Sequence, residues 1–170
     1  MRNFGIIKGG YSHLKSFNFI NNDIFSLIFL FFHLIMDHAI CFIAFTFGPW
    51  SAFIAAGLGT ALADLFSGYA QWAPISFVVH GLEGLLVALI VRQKDSVTSP
   101  FVTKILAGIV CMATVSLGYF ALSAIFISGV SVAAAEIPWN LLQSGVGVVL
   151  GLALAAAVKR AYPPVRSLAW

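Results

Sequence analysis

Two short stretches set hydrogen-bonding side chains into sequence that is otherwise almost wholly apolar. In "HGLEG", His80 and Glu83 stand three residues apart; in "EIPWNLLQ", Asn140 and Gln143 repeat the spacing, with Glu136 and Trp139 just ahead of them. Residues three apart share one helix face, so each pair can turn two polar groups toward the same partner. A carboxylate, an imidazole and two carboxamides supply donors and acceptors in set directions, and Trp139, with Tyr69 and Trp72 of the connector "DLFSGYAQW", adds flat π surface. A small heteroaromatic ligand needs both, and a mostly apolar pocket with a few placed polar groups is the usual form of such a site. The competing chemistry for His80 and Glu83 is catalysis within the membrane. Plainer uses exist as well: a structural His80–Glu83 pair, interhelical hydrogen bonding by Asn140 and Gln143, and interfacial anchoring by Trp72 and Trp139. Glu83 is the hardest to treat as incidental, because a carboxylate at mid-span costs at least about 2.5 kcal/mol on insertion scales.

Other reactive residue types form no recognisable constellation. His33, Asp37 and His38 in "HLIMDH" are metal-ligand types, but nothing in their spacing fixes a geometry and there is no HExxH run. Cys41 and Cys111 lie in apolar runs with no CxxC or Cys/His pairing, so neither zinc nor redox chemistry is indicated. No metal and no cofactor are expected. Asp64 ends a short apolar run beside a connector and reads as a solvated helix end. Phosphate-cradling loops and nucleophile elbows are missing too, so the chain does not hydrolyse ATP itself.

The elements that must hold these residues follow from composition. Of 170 residues, 61% are hydrophobic and 9% charged, against roughly half and about a quarter in a soluble domain. The chain is therefore an integral membrane protein, and its apolar segments, near 24–47, 51–67, 72–91, 102–129 and 138–158, are helices, since irregular backbone and open sheet edges cannot be satisfied in lipid. The fold expected is an all-α bundle of about six transmembrane helices: five clear apolar segments, the first able to cross twice at "HLIMDH". A polar N-terminal segment (1–23), the bundle (24–160) and a tail (161–170) divide the chain. Pro138 is expected in the first turn of the last helix, where its missing donor does no harm.

Basic residues orient the bundle. Arg92, Lys94 and Lys104 lie in one connector and Lys159, Arg160 and Arg166 near the tail; two spans separate them, so both are cytoplasmic by the positive-inside rule. The connectors Asp64–Trp72 and Ser128–Trp139 are then outside. Six crossings would put Arg2, Lys8 and Lys15 inside as well, with both termini cytoplasmic. The net charge of +3 reads as topology and not as nucleic-acid binding. Small residues recur every fourth position at Ser51, Ala55, Gly59 and Ala63, and again at Gly147, Gly151 and Ala155. Such stripes let helix backbones approach closely, either within the chain or against a partner.

"FGPWSAFIAAGLGTALADLF" resembles the signature of the substrate-binding S components of energy-coupling factor (ECF) vitamin transporters, and "WAPISFVVHGLEGLLVALI" and "EIPWNLLQSGVGVVLGLALAAAVKRAYP" are similar to that family's later helices. The resemblance runs from about Phe47 to Pro163. It implies a six-helix fold in a bacterial plasma membrane and a vitamin bound near the outer face, captured by a subunit that topples in the bilayer. It also implies two ATPases and a membrane-embedded T component as partners. Within the family the chain is most similar to the group assigned hydroxymethylpyrimidine, a thiamine precursor, with pyridoxine and riboflavin carriers close behind. The alanine-rich first helix by which such proteins meet the T component has no counterpart in Met1–Phe47. Either another surface docks, such as Ser51, Ala55, Gly59 and Ala63, or the N-terminal region is atypical. A membrane-embedded enzyme and a ligand-free assembly subunit are the alternatives.

Overall fold

A computed structural model describes residues 35–92 and 100–168. The polar N-terminal segment, the proposed second crossing near residue 24, His33 and Lys94 lie outside these residues. Five helices follow in order: α1 over Ile35–Thr46, α2 over Pro49–Phe66, α3 over Ala73–Arg92, α4 over Pro100–Phe126 and α5 over Val130–Ala161, with a short 3-10 turn at Pro163–Leu168. Four of them, α2 to α5, are long and apolar enough to cross a membrane. At 1.5 Å per residue the 18 residues of α2 span about 27 Å, close to the thickness of a hydrocarbon core.

Glycine and proline punctuate the chain where the helices reverse. Pro49 opens α2, and Gly48 before it sits at φ 108°, a conformation that disfavours any side chain. Gly129, at φ 76°, makes the turn between α4 and α5. This turn corrects the sequence reading: α5 begins at Val130, so Pro138 lies inside the helix and the connector expected over Ser128–Trp139 shrinks to Ile127–Gly129. The run "VSVAAAEI" carries no breaker after Gly129, and proline is tolerated inside membrane helices where neighbours satisfy the freed carbonyl. Asn140 and Gln143 consequently sit about three turns into α5, not at its mouth.

Close approach at small residues sets the packing. A Cβ on Gly84 would lie 2.8 Å from the carbonyl oxygen of Ala52, and one on Gly57 2.9 Å from that of Phe77, so α2 and α3 pack antiparallel almost backbone to backbone. Gly118 against Val79 joins α4 to α3 in the same sense, and Gly108 against Val148 joins α4 to α5. The Gly147–Gly151–Ala155 stripe is used internally: a Cβ at Gly147 would fall 2.5 Å from Asp37 Cβ, and one at Gly151 2.5 Å from Cys41 Cβ. These contacts make α1 parallel to α5, and Lys159 of α5 donates to the carbonyl of Phe45 near the end of α1. The other stripe faces away from the bundle, with Ala55 and Gly59 exposed and nothing within 4 Å of a Cβ at Gly59.

This register gathers Arg92, Lys104, Lys159 and Arg160 at one end, the basic end, and the Gly68 and Gly129 turns at the other.

Candidate functional site

The inner face of α3 repeats at three and four residues through Ser76, Val79, His80, Glu83 and Val87, all buried. That face carries the most polar group of side chains in the bundle interior. Nδ1–H of His80 donates to Glu83 Oε2 at 2.7 Å, and the other carboxylate oxygen, Oε1, accepts from the thiol of Cys111 on α4 at 3.0 Å. Cys41 of α1 lies beyond, its sulfur 3.9 Å from that of Cys111. His80 is 2% exposed and Glu83 not at all, so this pair is sealed from both lipid and water.

Asp37 completes the cluster from α1. Its Oδ1 is 3.8 Å from His80 Nδ1, too far for a hydrogen bond, and its exposure is 0%. Gln143 of α5, also buried, faces this carboxyl, yet neither carboxylate oxygen of Asp37 reaches full hydrogen-bond geometry with any described residue. Four helices thus contribute to one polar centre about midway along α3.

Toward the end away from the basic residues, aromatic rings continue the line. Tyr119 of α4 meets the His80 ring edge-on at 5.5 Å and the Trp72 ring at 6.2 Å. Its hydroxyl shares a 2.7 Å hydrogen bond with Ser76, whose carbonyl in turn accepts from Thr60 at 3.1 Å. A column of rings, Trp72–Tyr119–His80, therefore leads from the helix ends down to the cluster. Stacking surface and polar groups lie in series.

Of the residues singled out in the sequence, His80, Glu83 and Gln143 come together at this centre. Tyr69 and Trp72 lie half-buried in the α2–α3 connection, and Glu136 lies against the Ser123 hydroxyl between α5 and α4. Asn140 is half-buried, its backbone carbonyl accepting from Ser144. Trp139 stays 41% exposed and lines no part of the cluster's wall. Asp64 corrects the sequence reading: it is 7% exposed, a buried residue and not a solvated end. Asp37 was grouped with His33 and His38 by proximity in sequence, but its neighbours in space are His80 and Glu83. Tyr119 went unnoticed, although Ser116, Tyr119 and Ser123 form a polar stripe at helical spacing that could have revealed it.

Apolar helices of membrane-spanning length, closed around a polar centre and a column of rings, are the frame of a multi-pass membrane protein. The model of the family described as ECF-type riboflavin transporter, S component, matches residues 24–160, and the chain belongs to that family. It is also 30% identical over 129 residues to an uncharacterized protein in a gap 3' region of Pyrococcus woesei, a match that covers 76% of this chain and 83% of that one. No solved structure matches the chain. Membership makes it a transporter subunit for vitamin uptake and not a catalyst, and implies association with an ECF module.

Proposed function

We propose that the chain captures a small heteroaromatic vitamin or precursor of the size of hydroxymethylpyrimidine or pyridoxine and delivers it through a module of two ATPases and a T component. The observation that carries this reading is the column Trp72–Tyr119–His80 standing over the buried His80–Glu83–Gln143 centre. A single ring with hydroxyl, amino and ring-nitrogen groups can stack in the column and exchange hydrogen bonds with the centre. The tricyclic ring of riboflavin, the vitamin in the family's description, demands a wider opening between α3, α4 and α5 than these close side-chain contacts favour. Glu136, Asn140 and Tyr69 form the rim in this reading, and Trp139 contributes from the outer side of α5.

Docking to the T component belongs, in the same reading, to the outward face of α2. Ala55 and Gly59 are exposed there, between Ser51 and Ala63, beside a ridge of Ile54, Leu58 and Leu62. Small residues on an unpartnered helix face admit a second helix at close range.

Copurification tests the class: the tagged chain should bring down two ATPases and a T protein from its host membrane, and isolation alone would exclude this role. Calorimetric titration tests the ligand. Hydroxymethylpyrimidine or pyridoxine should bind the wild-type subunit, and Asn140→Ala and Glu83→Gln should each weaken that binding about 5-fold to 150-fold, the equivalent of about 1–3 kcal/mol for one buried hydrogen bond. Tight riboflavin binding with no response to the one-ring compounds would overturn the choice of substrate.

A further inference from the structure

We infer that Asp37, His80 and Glu83 form a binding site for a divalent transition-metal cation of the zinc class, at the centre of the bundle. One ligand atom from each of the three lies within 4.8 Å of the others. A cation with bonds of about 2.0–2.2 Å to nitrogen and oxygen holds its ligand atoms a little over 3 Å apart. The observed separations, 2.7 Å from His80 to Glu83 and 3.8 Å from His80 to Asp37, lie on either side of that value, so each of these two contacts needs a shift of under an ångström to reach it.

Asp37 gives the independent argument. It is fully buried, and although Gln143 faces it, neither of its carboxylate oxygens reaches hydrogen-bond geometry with a described residue. Buried polar atoms are almost always satisfied, and a carboxylate left unsatisfied in an apolar interior is among the most costly arrangements a protein can hold. Gly147 of α5 packs so close that a Cβ there would lie 2.5 Å from Asp37 Cβ, which leaves the side chain little room to retreat. A divalent cation bound here would balance the two carboxylates of Asp37 and Glu83 with the imidazole neutral.

Donor chemistry narrows the ion. One imidazole and two carboxylates suit zinc, manganese or ferrous iron and disfavour softer ions that select sulfur. As the cation takes His80 Nδ1, the proton that now faces Glu83 Oε2 moves to Nε2, the other tautomer of the neutral imidazole. Cys111 already donates its thiol to Glu83 Oε1 at 3.0 Å, leaving Oε2 for the cation, and such outer hydrogen bonds typically orient a ligating carboxylate. The division of the donors between two helices, α1 and α3, also explains why no sequence motif announces the site. It uses His80 and Glu83, the floor of the capture site proposed above, but does not depend on what is captured there.

The test uses the full chain purified in detergent without vitamin, stripped by chelator, equilibrated with zinc and desalted, with metal content read by mass spectrometry. One zinc per chain is expected, and Asp37→Asn and His80→Gln should each lower zinc affinity about tenfold or more, while His38→Gln leaves it unchanged. Wild-type protein that retains no zinc overturns the proposal. So does undiminished retention in the Asp37→Asn/His80→Gln double variant. Cobalt loading of the wild type guards against a variant that fails to fold: ligand-field bands without thiolate charge transfer are expected, and a strong thiolate band would move the ion to Cys41 and Cys111 and refute the assignment. Neither readout involves a vitamin, so a negative result counts against the cation, whereas copurification decides the capture reading.

Discussion

Glu83 accepts hydrogen bonds from opposite sides, from His80 on its own helix and from Cys111 on the next, and so joins α3 to α4 through a single carboxylate. Removing it leaves a buried imidazole and a thiol with no acceptor. Glu83→Ala should therefore destabilise the protein by about 3–5 kcal/mol, and Glu83→Gln by clearly less, in unfolding measured in detergent; equal losses would mean that side-chain volume, not the hydrogen bonds, matters there. Tyr119→Phe should cost about 1–2 kcal/mol, since Ser76 would lose its 2.7 Å partner while the rings remain. Half of this centre was legible in the sequence. His80 and Glu83 declare themselves because a spacing of three on one helix guarantees a shared face, whereas Asp37 is brought in from another helix by packing against Gly147, which no local spacing encodes.

The two small-residue stripes look alike in sequence and differ in what covers them. Bulk at Gly151 must push against Cys41 Cβ and the His38 carbonyl, while bulk at Gly59 meets open space. Gly151→Leu should thus separate α1 from α5 and lower the melting temperature by several degrees or prevent folding. Gly59→Leu should leave the melting temperature and vitamin affinity of the isolated subunit nearly unchanged yet abolish copurification with the ECF module. Retained copurification would move the docking face elsewhere. Helix positions were readable from hydrophobic runs alone for α2, α3 and α4, which end within a few residues of the expected bounds. The start of α5 was not, because a proline in an apolar run signals a first turn in water but is compatible with mid-helix in a membrane.

Across the whole molecule, alternation of the helices puts the Gly129 turn and the C-terminal 3-10 turn at opposite ends of α5. Both native cysteines are buried, so an introduced thiol can be read without background. With the basic end inside, Ser131→Cys, exposed in the first turn of α5, should react with an impermeant maleimide in intact cells, and Ser167→Cys should react only after the membrane is opened. The reverse pattern would invert the bundle and place the ring column on the cytoplasmic side. The clustering of basic residues was legible from sequence, and the described helices keep Arg92, Lys104, Lys159 and Arg160 at one end, whose side of the membrane this labelling decides. The interior was not, since a run of twenty apolar residues says that a helix spans and leaves open which face meets its neighbours.

The parallel pairing of α1 with α5 bears on the order in which the protein can be made. Phe45 and Lys159 are 114 residues apart in the chain, so α1 leaves the ribosome long before the helix that closes over it exists. Until α5 is inserted, Gly147 cannot cover Asp37, and the carboxylate must wait in the insertion machinery or against lipid. The polar centre is accordingly assembled only after α5 has been made, 114 residues behind α1. A nascent chain arrested after α4 should remain bound to the insertion machinery or be degraded, and release should coincide with the appearance of the glycines of α5.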